Sequence, residues 1–264
     1  MNENQYFENV KSYKLLANKS LGQNFLINPE VAKSIVNLLE VSGKDEVIEI
    51  GSGLGSLSYF LTKFPAKTQL IDIDERMLQF LNDQFGSIEN VVVRRQNILK
   101  EDLSKYTKII GNLPYYITSS IIEHILLSAT NAEKIVLMTQ KEVYPKLLSN
   151  FKSPLSLFLN YVADISSAKE VGRNNFAPIP HVDSVVFTLT PNANIKNEGN
   201  KKLLKLMQQL FLLRRKNILN NLANVTKDKE KAKEILTKLG VDTNKRPEEL
   251  DINFYILLLK ELNF

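Results

Sequence analysis

Short aliphatic runs alternate with helical patterns along residues 28–138, and this alternation constrains the fold more than any other feature of the chain. Asn28-Pro29-Glu30 opens a stretch with Val31, Ile35, Leu38 and Leu39 on one helical face. Asn28 suits an N-cap and Pro29 the first helical position. Val47-Ile48-Glu49-Ile50 reads as a strand, followed by Leu57, Phe60 and Leu61 at helical spacing. Gln69-Leu70-Ile71, Val91-Val92-Val93, Lys108-Ile109-Ile110 and Ile135-Val136-Leu137-Met138 read as further strands. Met77, Leu78, Leu81 and Phe85 mark one intervening helix, and Ile121, Ile122, Ile125 and Leu126 another. Such βαβ units dictate a parallel sheet with right-handed crossovers. Val182 to Leu189 suits a late strand. From about residue 200 only helical periodicity remains, and PNANIKNEGN (191–200) is polar, rich in breakers and reads as a linker. The expected organisation is an α/β domain over 1–192, with residues 1–20 as a loose arm, followed by a small all-α domain over 193–264.

Charge divides at the same place. Residues 1–191 carry 19 basic and 20 acidic side chains, and residues 192–264 carry 15 and 9, so a near-neutral domain precedes one of net +6. A basic helical domain fits a polyanion such as nucleic acid. Lysine outnumbers arginine 27 to 7, so much of this charge also fits a solvated surface. Cysteine is absent and only His124 and His181 are present. That excludes disulfides, thiolate chemistry and multi-histidine metal sites, and it fits a reducing cytoplasm. No apolar run reaches the length of a membrane span, and the polar start MNENQYFENV is unlike a secretory signal. The expectation is a cytoplasmic monomer without a metal.

Glu49-Ile50-Gly51-Ser52-Gly53-Leu54-Gly55 stands between a strand and a helix. Glycines there allow a sharp turn and close approach of backbone to a ligand. The spacing is neither that of a dinucleotide fingerprint nor that of a P-loop. Glu49 would repel a diphosphate but suits a cation, and S-adenosylmethionine carries both a sulfonium and an ammonium. Asp72 ends the second strand 19 residues after Gly53, where a carboxylate can accept hydrogen bonds from ribose hydroxyls. Asp74 fits the cap of the next helix.

Asn112-Leu113-Pro114-Tyr115 follows the fourth strand. The exocyclic amine of adenine is a poor nucleophile because its lone pair is delocalised into the ring. Two acceptors, the Asn112 side-chain oxygen and a main-chain carbonyl, can hold its hydrogens and free that lone pair. Pro114 fixes the chain direction without a competing N–H, and Tyr115 can stack on the base. Phe176-Ala177-Pro178-Ile179-Pro180-His181-Val182-Asp183-Ser184 is a proline-stiffened loop whose Phe176 is expected to be exposed and to clamp a flipped base. Either motif also fits an ordinary turn or connector.

Ser20-Leu21-Gly22-Gln23-Asn24-Phe25-Leu26, the glycine turn, NLPY and the FxPxPxVxS loop, in this order, resemble the rRNA adenine N6-dimethyltransferases over nearly the whole chain. LMTQKEV (137–143) and Phe211-x-x-Arg214-Arg215-Lys216-x-x-x-Asn220-x-Leu222 resemble the housekeeping small-subunit (KsgA-type) branch more than the erythromycin-resistance branch. The resemblance implies an S-adenosylmethionine-dependent methyltransferase (Rossmann-like) sheet with a reversed last strand, and a helical C-terminal domain. It implies transfer of two methyls to each of two adjacent adenines in a hairpin loop near the 3′ end of small-subunit rRNA, within the 30S particle. By position, Asn24, Leu26, Gly51, Asp72, Asn97 and Asn112 would line the cofactor site, with Glu49 and Gly53 beside them. Asn112, Leu113, Pro114 and Tyr115 would hold the target amine, and Phe176 would stack on the adenine. Arg214, Arg215 and Lys216, clustered on a helix, would bind RNA backbone.

Three features depart from the family pattern. Asn97 stands where the family usually has Asp, Asp72 stands where Glu is common, and NFKSPLSLF (150–158) lacks the usual Tyr-Gly and is shortened. The competing readings are the same chemistry on large-subunit (23S) rRNA, a non-enzymatic assembly factor, and a DNA adenine methyltransferase.

Overall fold

The computed structural model describes residues 2–13, 23–148, 150–213 and 215–262. Its helices and strands, in chain order, are α1 (Glu3–Ser12), β1 (Phe25–Leu26), α2 (Pro29–Leu38), β2 (Glu46–Ile50), α3 (Ser58–Leu61), β3 (Lys67–Asp72), α4 (Glu75–Phe85), β4 (Val91–Arg95), β5 (Lys108–Asn112), α5 (Thr118–Ser128), β6 (Lys134–Gln140), α6 (Pro154–Val162), β7 (Ala163–Val171), β8 (Phe176–Ala177), β9 (Ser184–Pro191), α7 (Asn200–Leu210), α8 (Ile218–Thr226), α9 (Lys229–Lys238) and α10 (Ile252–Glu261). The chain forms two compact units, Met1–Tyr144 with Asp164–Asn192, and Pro145–Ala163 with Ala193–Phe264.

The first unit is built on a seven-stranded sheet of order β4-β3-β2-β5-β6-β9-β7. β2 pairs in parallel with both β3 and β5, β3 with β4, and β5 with β6, whereas β9 runs antiparallel to β6. The strands read from sequence form this sheet, and β9 is the reversed strand. Their inward residues are closed to water on both faces: Val47, Ile48, Ile109, Ile110, Val136 and Leu137 are all fully buried. This is why they read as continuous apolar runs rather than alternating ones. The order reverses on either side of β2, so the crevice beyond the carboxyl ends of β2, β3 and β5 is where an open α/β sheet takes its ligand.

Local signals set the helix starts. Asn28 Oδ1 accepts from the amides of Glu30 and Val31, and Asp74 Oδ1 accepts from that of Arg76. Both caps agree with the sequence. The start of the chain does not: residues 3–12 form α1, not part of a loose arm, and Tyr6, Phe7 and Val10 are buried. Tyr6 stacks on Tyr59 with ring centroids 4.7 Å apart, and its hydroxyl donates to the Leu54 carbonyl at 2.7 Å. Two apolar side chains and an aromatic with a polar tip outweigh the polar composition of this segment. Residues 14–20 of the expected arm lie outside the described residues.

The second unit packs α6, α7, α8, α9 and α10 around Phe158, Leu204, Met207, Leu222, Leu236 and Leu258. It takes in residues 145–163, a stretch that the sequence pattern leaves in the first domain. The turn between α7 and α8 is held by Asn221, which is buried and whose amide donates to the carbonyls of Leu213 and Lys216.

Candidate active site

The glycine turn after β2 is a backbone device. Gly51, Gly53 and Gly55 all have positive φ, at 64°, 53° and 71°. A Cβ on Gly55 would stand 2.7 Å from both the Phe85 ring and the Tyr6 hydroxyl. The turn thus lies folded under α1, and only glycine fits it. Asp72, at the end of β3, fastens it: Oδ2 accepts from the Gly53 amide at 2.9 Å and Oδ1 from the Asp74 amide at 2.9 Å. Burial raises the Asp72 pKa above the usual carboxylate range, against the opposing pull of those amides. Asp74 behaves oppositely, held down to about 2 chiefly by hydrogen bonds from the Arg76 side chain.

Glu49 lies inside the sheet at 2 % exposure. The Ser58 hydroxyl donates to its Oε2. Burial, and next the nearby Asp72 charge, raise the Glu49 pKa to about 8. The carboxyl is therefore largely neutral at pH 7 until a positive charge is placed beside it.

Asn112 ends β5. Its Nδ2 donates to the Asn24 carbonyl at 3.2 Å, which leaves the side chain with a fixed orientation. Its Oδ1 is buried and has no hydrogen-bond partner. A buried acceptor left open costs about 1–3 kcal/mol, and because Asn112 lines a cavity a ligand there can complete its bonding. Leu113 donates its amide to the Met138 carbonyl at 2.9 Å and is buried. Pro114 starts a 3-10 turn over Tyr115–Ile117, braced by the Thr118 hydroxyl donating to the Pro114 carbonyl at 3.0 Å. The half-buried Tyr115 ring sits with its hydroxyl 3.4 Å from Ser184 Oγ, and burial raises its pKa. Ser184 is the last residue of the FxPxPxVxS loop, so this contact ties that loop to NLPY.

These side chains converge on one cavity of about 330 Å³, within the size range of small-molecule and cofactor sites. Asn24, Leu26, Glu49, Gly51, Gly53, Asp72, Asn97 and Asn112 all line it, as do Leu113, Pro114 and Tyr115. Ile73, Ile98 and Leu99 supply an apolar wall at one end. A carboxylate at a strand end, a glycine cradle, a buried acidic side chain and an apolar slot fit S-adenosylmethionine. Among the described residues, no cluster of three or more His, Asp or Glu side chains is placed to hold a metal ion.

Phe176 differs from expectation. It is 1 % exposed and belongs to the core cluster that also contains Phe25 and Leu26. The reason is local: β8 pairs antiparallel with β1, with Leu26 opposite Phe176. This pairing lays QNFL against the FxPxPxVxS loop and turns the ring into the core, so the exposed ring expected of that loop is not found. Arg215 and Lys216 are exposed in the turn between α7 and α8 rather than on a helix, and Arg214 lies outside the described residues. Sequence reasoning missed Gln23, whose Nε2 donates to Asp74 at 3.0 Å, and Ser58 beneath Glu49. It also missed Glu101, which accepts from Gln96 at 2.8 Å, Tyr106 at 2.9 Å and Arg94 at 2.7 Å, and so braces the loop carrying Asn97. Ser58 and Glu101 stand in no motif or period that sets them apart, and Gln23, although it belongs to the QNFL motif, has no local signal for its bond to Asp74.

Asn97 Oδ1 accepts from the Leu99 amide at 3.0 Å, capping a short 3-10 turn, and keeps a second lone pair for a ligand. A carboxylate there would make a stronger bond to an amine. Asn97→Asp is expected to tighten S-adenosylmethionine binding by about 1 kcal/mol, roughly fivefold. Calorimetry checks this, and equal or weaker affinity would refute the role given to Asn97.

A family model described as ribosomal RNA adenine dimethylase matches residues 14–263. The chain belongs to that family. This dimethylase is 38% identical over 269 residues to ribosomal RNA small subunit methyltransferase A of Ligilactobacillus salivarius, covering 94% of this chain and 91% of that one. It is 37% identical to the protein of the same name from Mycoplasma capricolum, covering 92% and 96%. Its fold matches the crystal structure of a dimethyladenosine transferase from Plasmodium falciparum with a TM-score of 0.75, 26% identity and coverage of 89% and 96%. The 23S rRNA methyltransferase ErmE shares the fold at a TM-score of 0.65 and 23% identity, covering 91% and 100%. The dimethylase is thus an S-adenosylmethionine-dependent rRNA adenine methyltransferase. No helix among the described residues is long and apolar enough to cross a membrane.

Proposed function

We propose that this protein dimethylates the N6 amines of two adjacent adenines in the 3′-terminal hairpin loop of small-subunit (16S) rRNA, acting on the 30S particle as a cytoplasmic monomer. The observation that carries the reading is the open, buried Asn112 Oδ1 on a side chain anchored to Asn24. It is an acceptor waiting for a donor, and the adenine amine is a donor of the right kind. The names of the two relatives described above point to the small subunit.

S-adenosylmethionine, when bound, supplies a methyl on a positively charged sulfur that is open to displacement. Asn112 Oδ1 accepts one hydrogen of the amine, and a main-chain carbonyl of the NLPY turn accepts the other. Holding both hydrogens draws the nitrogen out of conjugation and aims its lone pair. Asp72 holds the glycine turn and offers its remaining lone pairs to ribose hydroxyls. No strong base is required, because the methylated amine is acidic and releases its proton to water. Alignment of this kind contributes several kcal/mol. The deciding experiment is methylation of purified 30S particles lacking the modification, beside 23S rRNA, with the modified bases mapped. Transfer to 23S alone would overturn the choice of substrate, and no transfer at all would leave an assembly factor.

The basic turn at Arg215 and Lys216 would meet phosphates, which carry no sequence information but set register. Neutralising both residues is expected to lower the slope of log affinity against log salt by about 2 and to weaken binding across RNA sequences alike. An unchanged slope in a salt titration would show that these residues are merely solvated.

A further inference from the structure

We propose that Tyr116 is the stacking platform for the base beside the target adenine. The inference rests on the adenine-methylating reading above. With Phe176 buried, the exposed aromatic clamp expected of the FxPxPxVxS loop is not found. Tyr116 lines the mouth of the cavity and leaves 57 % of its surface in water. An aromatic ring exposed at the rim of an RNA-methylating site is costly to hydrate and well suited to a splayed-out base.

The turn decides which base it takes. Tyr115 and Tyr116 are consecutive in a 3-10 turn. Such a turn has three residues per revolution, so successive side chains diverge by about 120°. The two rings therefore cannot face the same purine. Tyr115 is half-buried beside Asn112, with its hydroxyl at Ser184, and belongs to the base whose amine reacts. Tyr116 then serves a neighbouring base at the rim of the cavity. The platform is held still: Ile117 donates its amide to the Pro114 carbonyl at 3.4 Å, and the Thr118 hydroxyl reaches the Pro114 carbonyl at 3.0 Å. The backbone beneath the ring is fixed, so only the two side-chain torsions of Tyr116 are ordered when a base stacks on it.

Steady-state methylation of unmodified 30S particles by the full-length protein tests this. Tyr116→Ala is expected to raise KM for the particle about tenfold, with S-adenosylmethionine affinity by calorimetry and the melting temperature unchanged. Tyr116→Phe should restore the wild-type KM, whereas Tyr116→Leu, similar in apolar bulk but without a π-face, should not. Equal KM values for wild type and Tyr116→Ala, or full rescue by Leu, would overturn the platform. A loss of cofactor affinity in Tyr116→Ala would do the same, because it would make the residue a structural part of the pocket. If wild type itself transfers no methyl to the particle, the underlying reading falls and takes this one with it.

Discussion

Asn112→Ala should slow methyl transfer by about two to three orders of magnitude while leaving most cofactor binding in place. The substitution removes the buried acceptor left open beside the cavity, and with it the hydrogen bond from Nδ2 to the Asn24 carbonyl. Cofactor contacts elsewhere in the cavity remain: Asp72 still fastens Gly53, and the apolar wall of Ile98 and Leu99 is untouched. A group that polarises or orients the reacting atoms typically accounts for a 10²–10³-fold effect on kcat, and about that loss is expected here. S-adenosylmethionine affinity should change only a few-fold. The check is tritium transfer from labelled cofactor to 30S particles, alongside calorimetric binding. An Asn112→Ala protein that retains activity would remove the proposed catalytic role, and one that loses cofactor binding in proportion to activity would make Asn112 a binding residue only.

This expectation could be formed because the site is written in short local motifs. The glycine turn, Asp72 and NLPY each end a strand, and the β2 switch point in a parallel sheet brings strand ends together whatever the intervening helices contain. The strands themselves were legible because burial on both faces forces continuous apolar runs. Pairings between distant segments were not legible. The β1–β8 pair joins residues 150 positions apart through two short stretches, too brief to show a period. That pair decides the fate of Phe176, so the motif was found but the direction of its ring was not. α1 lacks a legible pattern for a related reason: three buried side chains among polar ones carry little period, although one of them, Tyr6, lies against the glycine turn. α6 and β7, in a stretch with no recognised motif, passed unread for want of any punctuation beyond Pro154.

The near-absence of histidine and the absence of cysteine also acquire a physical meaning in the site. The proposed reaction needs an acceptor held in place, not a proton shuttle. The polar groups that line the cavity are accordingly amides, hydroxyls, backbone and carboxyls, and the acidic side chains Glu49 and Asp72 suit a cationic ligand. Asp72 serves that end by bonding to two amides that partly stabilise its charge. Glu49 has no such amides and relies on one serine hydroxyl.

That difference leads to the second large effect, a pH dependence of cofactor binding. In the free protein the Glu49 carboxyl is raised to about 8, first by burial and then by the charge of Asp72. A cation bound in the cavity favours the ionised carboxylate, so binding lowers this pKa and releases a proton. The sign follows directly. Below pH 8 the free protein must give up the Glu49 proton before it can offer a full negative charge, so affinity rises with pH, by up to about tenfold per unit. Above pH 8 the carboxylate is already ionised and the curve flattens. Between pH 6 and pH 8 the affinity for S-adenosylmethionine should therefore climb by as much as about 50-fold, and calorimetry in buffers of differing ionisation enthalpy should register one released proton near neutrality. Glu49→Gln keeps the shape and can still accept from Ser58, but it cannot ionise. It should bind weakly and with no slope across this window. A wild-type affinity that is flat from pH 6 to pH 8 would show that Glu49 stays neutral with the cofactor bound, and that its role is to hold Ser58 and the start of α3.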